Sequence, residues 1–154
     1  MIDEDIRVAK TLPSKFYTDG ECFQEQKKLF NRWQFAAHKS DIAANNILPL
    51  GTIESVTGES MMLVDDGEIH CLSNVCTHRG MRLATEACQS KGLQCKYHGR
   101  RFNLDGVFLH MPEFEETVNF PTEDDNLTEY SLTEWNGIYF TAVDALKSLD
   151  LSFL

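Results

Sequence analysis

The amino-acid sequence predicts an all-β protein of short antiparallel strands, preceded by one helix. From Trp33 onward the chain consists of short runs rich in β-branched and aromatic residues. Turn signals separate these runs, namely Asp66-Gly67, Asp105-Gly106 and Asn136-Gly137. With 154 residues, of which 42% are hydrophobic, the chain is long enough for one compact domain.

Residues 1–32 are expected to form a loose lead-in followed by the helix. Thr18 or Asp19 can cap a helix that continues through Phe30, because both side chains accept hydrogen bonds from a first helical turn. Phe23 and Phe30 fall on one face of this helix, which we expect to be buried.

The domain itself is predicted over residues 33–145. Its strands are expected at 33–38, 50–56, 60–64, 69–72, 101–103 and 107–109, with a closing hairpin over 130–143. Two loops, 74–83 and 94–100, interrupt this pattern, and the acidic stretch 113–129 is expected to cross the surface irregularly. The tail 146–154 ends on apolar residues and is interpreted as the start of a further domain.

The charge of the chain excludes two classes of partner. Twenty-four acidic and fourteen basic residues give a net charge of -10, which repels nucleic acids and anionic membrane surfaces. The N-terminus lacks the basic and apolar parts of a secretory signal, and no stretch reaches the roughly 18 apolar residues of a membrane span. We therefore predict a cytoplasmic location.

The five cysteines divide by their spacing. A reducing compartment disfavours a disulfide framework, so metal ligation or burial must account for them. Cys76 and Cys95 each have a histidine within three positions, whereas Cys22, Cys71 and Cys88 do not and are expected to be ordinary thiols.

Two short motifs carry the chemistry of the chain. Cys76 and His78 form C-x-H, Cys95 and His98 form C-x-x-H, and sixteen residues lie between the motifs. Each offers one thiolate, which suits iron–sulfur clusters, and one imidazole, which raises the reduction potential of a cluster by lowering its negative charge. Gly80 and Gly99 end the motifs, and glycine allows the backbone to approach sulfur closely. The pattern therefore predicts reversible one-electron transfer.

The paired motifs resemble the Rieske pattern, and the flanking sequence resembles the N-terminal domain of Rieske non-haem iron oxygenases of the ring-hydroxylating type. The resemblance extends over nearly the whole chain and includes the helix, Trp33-Gln34-Phe35, Asn74-Val75 and Leu104-Asp105-Gly106. It implies a Rieske antiparallel β-sandwich with a small cluster-binding subdomain. It also implies one [2Fe–2S] cluster per chain, held by Cys76, His78, Cys95 and His98, with Arg79, Gly80, Tyr97 and Gly99 as possible surrounding residues.

Several residues depart from related patterns. Respiratory Rieske proteins carry a further cysteine in each loop, where this chain has Met81 and Tyr97, so no loop disulfide is expected. They also carry serine and tyrosine hydroxyls that bond the cluster, where this chain has Arg100 and Phe102. The loss of these donors predicts a potential toward the low end of the roughly -150 to +300 mV Rieske range. Within the oxygenase pattern, Arg100 replaces a common tryptophan and Lys96 a common proline.

The resemblance implies an electron relay without an oxygen-activating site in this chain. The other histidines, His38, His70 and His110, are scattered and receive no role. The resemblance implies a reductase or ferredoxin as the electron donor and a mononuclear non-haem iron domain as the acceptor. It also implies a trimer for the intact enzyme. Two alternatives stay open: a stand-alone Rieske ferredoxin and a zinc-stabilised interaction module.

Overall fold

The computed structural model describes residues 3–144 and 149. Within these residues, nine short strands form three antiparallel sheets of three strands each, and the helices are few and short. This architecture confirms the all-β prediction. No helix in the described ranges is both long and apolar enough to cross a lipid bilayer.

The elements follow one another along the chain with short connections. The helices are α1 Lys15–Thr18, α2 Gly20–Phe30, α3 Lys39–Ile42 and α4 Gly51–Thr57, with a 3-10 turn at Glu123–Asp125. The strands are β1 Gln34–His38, β2 Ile47–Pro49, β3 Met61–Asp65, β4 Ile69–Ser73, β5 Leu93–Gln94, β6 Arg101–Phe102, β7 Phe108–His110, β8 Ser131–Trp135 and β9 Ile138–Ala142. The sheet orders are β1-β9-β8, β2-β3-β4 and β5-β6-β7.

Helix α2 has the predicted cap but not the predicted buried face. The carboxylate of Asp19 accepts a hydrogen bond of 2.9 Å from the backbone N–H of Cys22. Phe23 is 57% exposed and Phe30 is 38% exposed, and no residue of α2 is buried. The prediction of a buried face was wrong because the helix lies outside both hydrophobic cores.

The strand predicted at 50–56 is instead helix α4. Leu50 and Ile53 are buried in the same core and are three positions apart, as on one face of a helix. Gly58 ends the helix in the left-handed conformation, with φ +84°. A short run rich in β-branched residues is compatible with a strand or a helix. Here the helix forms because it buries one face in the core.

Strand β3 lies between two hydrophobic cores. Its side chains alternate, so that Met62 and Val64 face one core while Met61 and Leu63 face the other. The first core also contains Cys76 and Cys95 and lies beneath the β5-β6-β7 sheet. We call this the cluster-side core, and it positions the two predicted motif loops.

The closing hairpin agrees with its turn signal. β8 pairs with β9 in antiparallel register, and Asn136 and Gly137 between them have φ values of +50° and +85°. Residues 113–129 contain only the short 3-10 turn as regular structure, as predicted. Residues 150–154, on which a continuation of the chain was inferred, lie outside the described residues.

Candidate metal centre

The two motif loops have the same backbone hydrogen bonds. The N–H of Cys76 donates to the carbonyl of Met81, five residues on, at 2.9 Å, and the N–H of Cys95 donates to that of Arg100 at 2.8 Å. In each loop the glycine four residues after the cysteine donates back to the cysteine carbonyl at 3.0 Å. The backbone around the two cysteines is therefore equivalent. The histidines differ in position, because His78 follows Cys76 by two residues and His98 follows Cys95 by three.

The glycine in each loop is required by backbone conformation. Gly80 has φ +69° and Gly99 has φ +77°, a region that L-residues rarely adopt. The surroundings differ, because a Cβ on Gly99 would lie 3.3 Å from Cγ of Pro112, whereas a Cβ on Gly80 would have only Val75 within 4.0 Å.

The loops bring together the four predicted side chains in two pairs. Cys76 and Cys95 are each 2% exposed, and the two thiols are near enough that Cys95 raises the pKa of Cys76. The rings of His78 and His98 meet edge to face, with centroids 4.9 Å apart, and both residues are partly exposed. The thiol pair is thus internal, while the imidazole pair reaches the surface.

Burial and neighbouring charges perturb the ionisation of the site. Burial raises the pKa of Cys76, and the contact with Cys95 raises it further, while the backbone N–H of His78 and the charge of Arg100 oppose this increase. Burial also lowers the pKa of His78, as do the charges of His98, Arg79 and Arg100. The protein alone therefore favours neutral side chains in the first loop.

Two buried side-chain atoms in the described part of the chain have no hydrogen-bond partner. They are Nδ1 of His98 and Nε of Arg100. An unpaired buried nitrogen is costly, so Nδ1 of His98 is available to a ligand that the protein itself does not supply. Within residues 3–144, no three His, Cys, Asp or Glu side chains are grouped as ligands of a single metal ion.

Asn74 closes the first loop from within. It is 1% exposed, its Nδ2 donates to the carbonyl of Ala84 at 2.7 Å, and its Oδ1 accepts the N–H of Ala84 at 2.8 Å. Because both ends of the loop are joined through one satisfied amide, Cys76 and His78 lie on a closed segment.

Asp125 joins both loops to the 3-10 turn. Its backbone carbonyl accepts a hydrogen bond of 2.9 Å from the hydroxyl of Thr77, in the first loop. Its carboxylate forms an ion pair with Arg100, the last residue of the second loop. The carboxylate also caps its own turn by accepting the N–H of Thr122 at 2.8 Å. The sequence analysis missed this residue, although Thr122-x-x-Asp125 is a recognisable capping pattern.

Aromatic side chains form a wall on one side of the loops. Phe114 lies 5.8 Å from the ring of His78 and 5.1 Å from Phe120, and Phe120 lies 5.0 Å from Phe108. On the outer side, Tyr97 stacks on His98 with centroids 3.7 Å apart and is 57% exposed.

The residues predicted to have no part in the site lie elsewhere. Cys71 belongs to the second core, where it accepts a hydrogen bond from Thr141 at 3.2 Å and where burial raises the pKa of its thiol to about 11. His38 caps α3, and His70 lies between Asp66 and Glu129 at 3.3 Å from each. Cys88 forms a bridge with Ile47, and Cys22 lies on α2.

Comparison with known proteins gives consistent matches. Residues 32–121 match the model of the Rieske [2Fe-2S] domain. The chain is 33% identical over 142 residues to the carnitine monooxygenase oxygenase subunit of Escherichia coli (strain K12), covering 88% of this chain and 37% of the relative. It is 30% identical over 145 residues to the chloroplastic choline monooxygenase of Beta vulgaris, covering 92% of this chain and 32% of that protein.

Solved structures agree with these sequence matches. The quaternary ammonium Rieske monooxygenase CntA in complex with L-carnitine superposes with a TM-score of 0.81 at 26% identity, covering 92% of this chain and 41% of that one. A naphthalene 1,2-dioxygenase superposes with a TM-score of 0.71 at 27% identity, covering 87% and 31%. The chain thus spans less than half the length of the relatives that it matches.

Proposed function

This chain belongs to the Rieske [2Fe-2S] domain family, and we propose that it relays single electrons within a Rieske oxygenase system. Such a domain binds one [2Fe–2S] cluster, which accepts and releases one electron when bound. We assign the ligands as Cys76 and Cys95 on one iron and His78 and His98 on the other.

The unpaired Nδ1 of His98 carries this assignment. It is a buried ring nitrogen with no hydrogen-bond partner in the described residues, and iron ligation would satisfy it. Two thiols buried in one core and two imidazoles in contact also fit a two-iron group. A mononuclear zinc site would instead need all four side chains around one ion, and no group of three is found among the described residues.

The placement of the residues also supports a direction of access. Cys76 and Cys95 are buried and shielded from water, whereas the rings of His78 and His98 reach the surface. His98 is further covered by the exposed ring of Tyr97, which a partner could contact. An electron would therefore enter and leave on the histidine side, with one electron accepted for each electron delivered.

Electron paramagnetic resonance of the dithionite-reduced protein tests the assignment, with iron and sulfide assayed on the same sample. We expect two irons per chain and a rhombic signal whose average lies below the free-electron value. A silent spectrum with stoichiometric zinc would contradict the proposal and support a structural metal domain.

The relatives support an oxygenase parent rather than a separate ferredoxin. They are oxygenase subunits, and the match includes the N-terminal segment before the family domain, which begins at residue 32. We propose domain boundaries at 1–32, 33–145 and 146–154, with the last segment leading to a mononuclear iron domain. Sequencing the full transcript would test this, because a downstream His/His/carboxylate motif is expected for the oxygenase and not for the ferredoxin.

Charge on the cluster side supports an acidic electron donor. Arg79, Lys91 and Lys96 are exposed basic residues in and beside the two loops, whereas Arg82 and Arg100 of the same stretch are paired with Glu54 and Asp125. Lys91 and Lys96 line one cavity of about 430 Å³ beside the second loop, together with one acidic residue, Glu86. Opposite charge on a partner would accelerate its encounter with this surface.

Charge reversal tests this surface with a matched control. We expect Lys96→Glu to slow reduction by a reduced acidic [2Fe–2S] ferredoxin, and to weaken the dependence of the rate on salt. Lys27→Glu changes net charge equally on α2, outside the loops, and should leave the rate unchanged. Equal slowing by both variants would show that net charge alone matters and would contradict a local docking surface.

A further inference from the structure

Arg100 is a buried cation directly behind the predicted ligands. It is 3% exposed and follows Gly99, and its backbone carbonyl receives the N–H of Cys95. Its guanidinium lies over three aromatic rings, with Cζ 4.9 Å from the centroid of Phe108, 5.5 Å from Phe120 and 5.8 Å from Phe102. Guanidinium stays protonated in such a site, so this charge is permanent.

The charge of Arg100 is only partly satisfied by the protein. Asp125 pairs with one terminal nitrogen, while Nε is buried without a hydrogen-bond partner in the described residues. Arg100 and its partner adjoin both loops, because the backbone carbonyl of Arg100 receives the N–H of Cys95 and the carbonyl of Asp125 receives the hydroxyl of Thr77. The positive charge of Arg100 is therefore enclosed beside the predicted ligands.

We propose that Arg100 raises the reduction potential of the bound cluster, and that Asp125 positions Arg100 and limits this effect. The inference rests on the proposed function. One-electron reduction adds one negative charge to the site, and a cation attracts that charge more strongly through a low-dielectric interior than through water. Arg100 would thereby offset part of what the chain lacks through having no hydroxyl donors at positions 100 and 102.

Paired substitutions separate electrostatics from packing. Arg100→Met keeps an unbranched apolar side chain but removes the charge, and should lower the midpoint potential. Asp125→Asn keeps the shape and a hydrogen-bond acceptor but removes the opposing charge, and should raise it. A merely structural role would shift both variants in the same direction or broaden both signals.

Substitutions at the adjacent residues serve as controls, because they change the net charge of the chain by the same amounts. Arg101→Met and Asp124→Asn change exposed positions next to the two partners and should leave the potential at the wild-type value, because water screens them. Arg100→Lys keeps the charge and should restore most of the potential that Arg100→Met loses.

Redox titration followed by electron paramagnetic resonance measures these shifts on the cluster-loaded protein at pH 7, with spins counted so that unloaded protein does not contribute. Opposite shifts for Arg100→Met and Asp125→Asn are expected. Equal potentials for Arg100→Met and Arg101→Met, or shifts of the same sign in both partners, would overturn the inference. If the Arg100→Met variant does not bind the cluster, the test depends on the other pair. A midpoint potential of Asp125→Asn at or below that of Asp124→Asn would then overturn the inference. A wild-type protein without the rhombic signal would instead refute the proposed function.

Discussion

The two motif loops share one backbone design but are held in place differently. Each has a cysteine N–H bonded five residues ahead and a left-handed glycine bonded back to the cysteine. Both loops contact Asp125, but the first is also closed from within by the buried amide of Asn74, whereas the second is held by the Arg100–Asp125 ion pair. Equivalent ligand geometry therefore does not need equivalent support, and each support can be removed separately.

Because the two loops are equivalent, we expect substitution of either cysteine to have the same effect, which is complete loss of the cluster signal. We expect Cys76→Ser and Cys95→Ser each to abolish the rhombic signal, because in the proposed assignment each loop supplies one of two thiolates to the same iron. Cys88→Ser, a partly buried thiol outside the motifs, should keep full iron content. Retention of a normal cluster by either loop variant would refute the assignment of that cysteine.

Breaking the internal closure of the first loop should have the largest effect on stability. Asn74→Ala leaves the buried N–H and carbonyl of Ala84 unpaired, and we expect a loss of about 3 kcal/mol in the free energy of unfolding in urea. Asn46 makes the same pair of bonds to the backbone of Ser90 at a more exposed position. Asn46→Ala should cost under about 1 kcal/mol because water replaces the amide. Equal losses would show that burial does not set the cost.

Substitution of the two loop glycines should have smaller effects on stability, and these effects should differ between the loops. Gly80→Ala should cost about 1 kcal/mol, the penalty for an L-residue in the left-handed region. Gly99→Ala carries the same penalty, and its Cβ also presses on Pro112 at 3.3 Å, so we expect about 2 kcal/mol. Urea unfolding of the loaded protein measures both, and a larger loss at Gly80 would contradict the difference in packing.

The smallest effect concerns pH at β4, the strand that leads into the first loop. Burial alone would lower the pKa of His70, but hydrogen bonds and charge from Glu129 and Asp66 outweigh it and raise the pKa above its usual 6.5. A raised folded pKa stabilises the protein below the unfolded pKa, and this stabilisation is lost as pH rises through the folded value.

Wild type should therefore exceed His70→Asn in stability by under about 1 kcal/mol below pH 6.5, since Glu129 is largely exposed. This advantage should disappear at alkaline pH, and unfolding of both proteins at pH 6 and pH 9 measures it. An advantage that persists at pH 9 would show that the charge on His70 is not its cause.

Local spacing predicted the parts of the site that lie within a few residues of each other. The C-x-H and C-x-x-H motifs with their glycines identified both loops, and the structure brings the two thiols and the two imidazoles together. The Asp125 contact lies twenty-five residues beyond Arg100, and no local pattern links them. Arg100 was noticed only as a departure from a family pattern, because burial of a charge depends on aromatic residues from three separate segments.

The errors in the fold have a related cause. The apolar residues of 50–56 fit a strand or a helix equally, and the second core selected the helix. Strands β2 and β5, of three and two residues, are too short to give an alternating pattern. Helix α2 was identified by its cap, but its packing depends on tertiary contacts that its periodicity does not specify.

The alternation of β3 has a thermodynamic consequence. Met62 and Val64 belong to the core that contains the two cysteines, while Met61 and Leu63 belong to the other core. Neither core can melt while β3 stays in register, since displacing the strand exposes both sets of side chains at once. The domain should therefore unfold as one cooperative unit, in which ligation free energy gained at the loops is shared by the opposite side of the molecule.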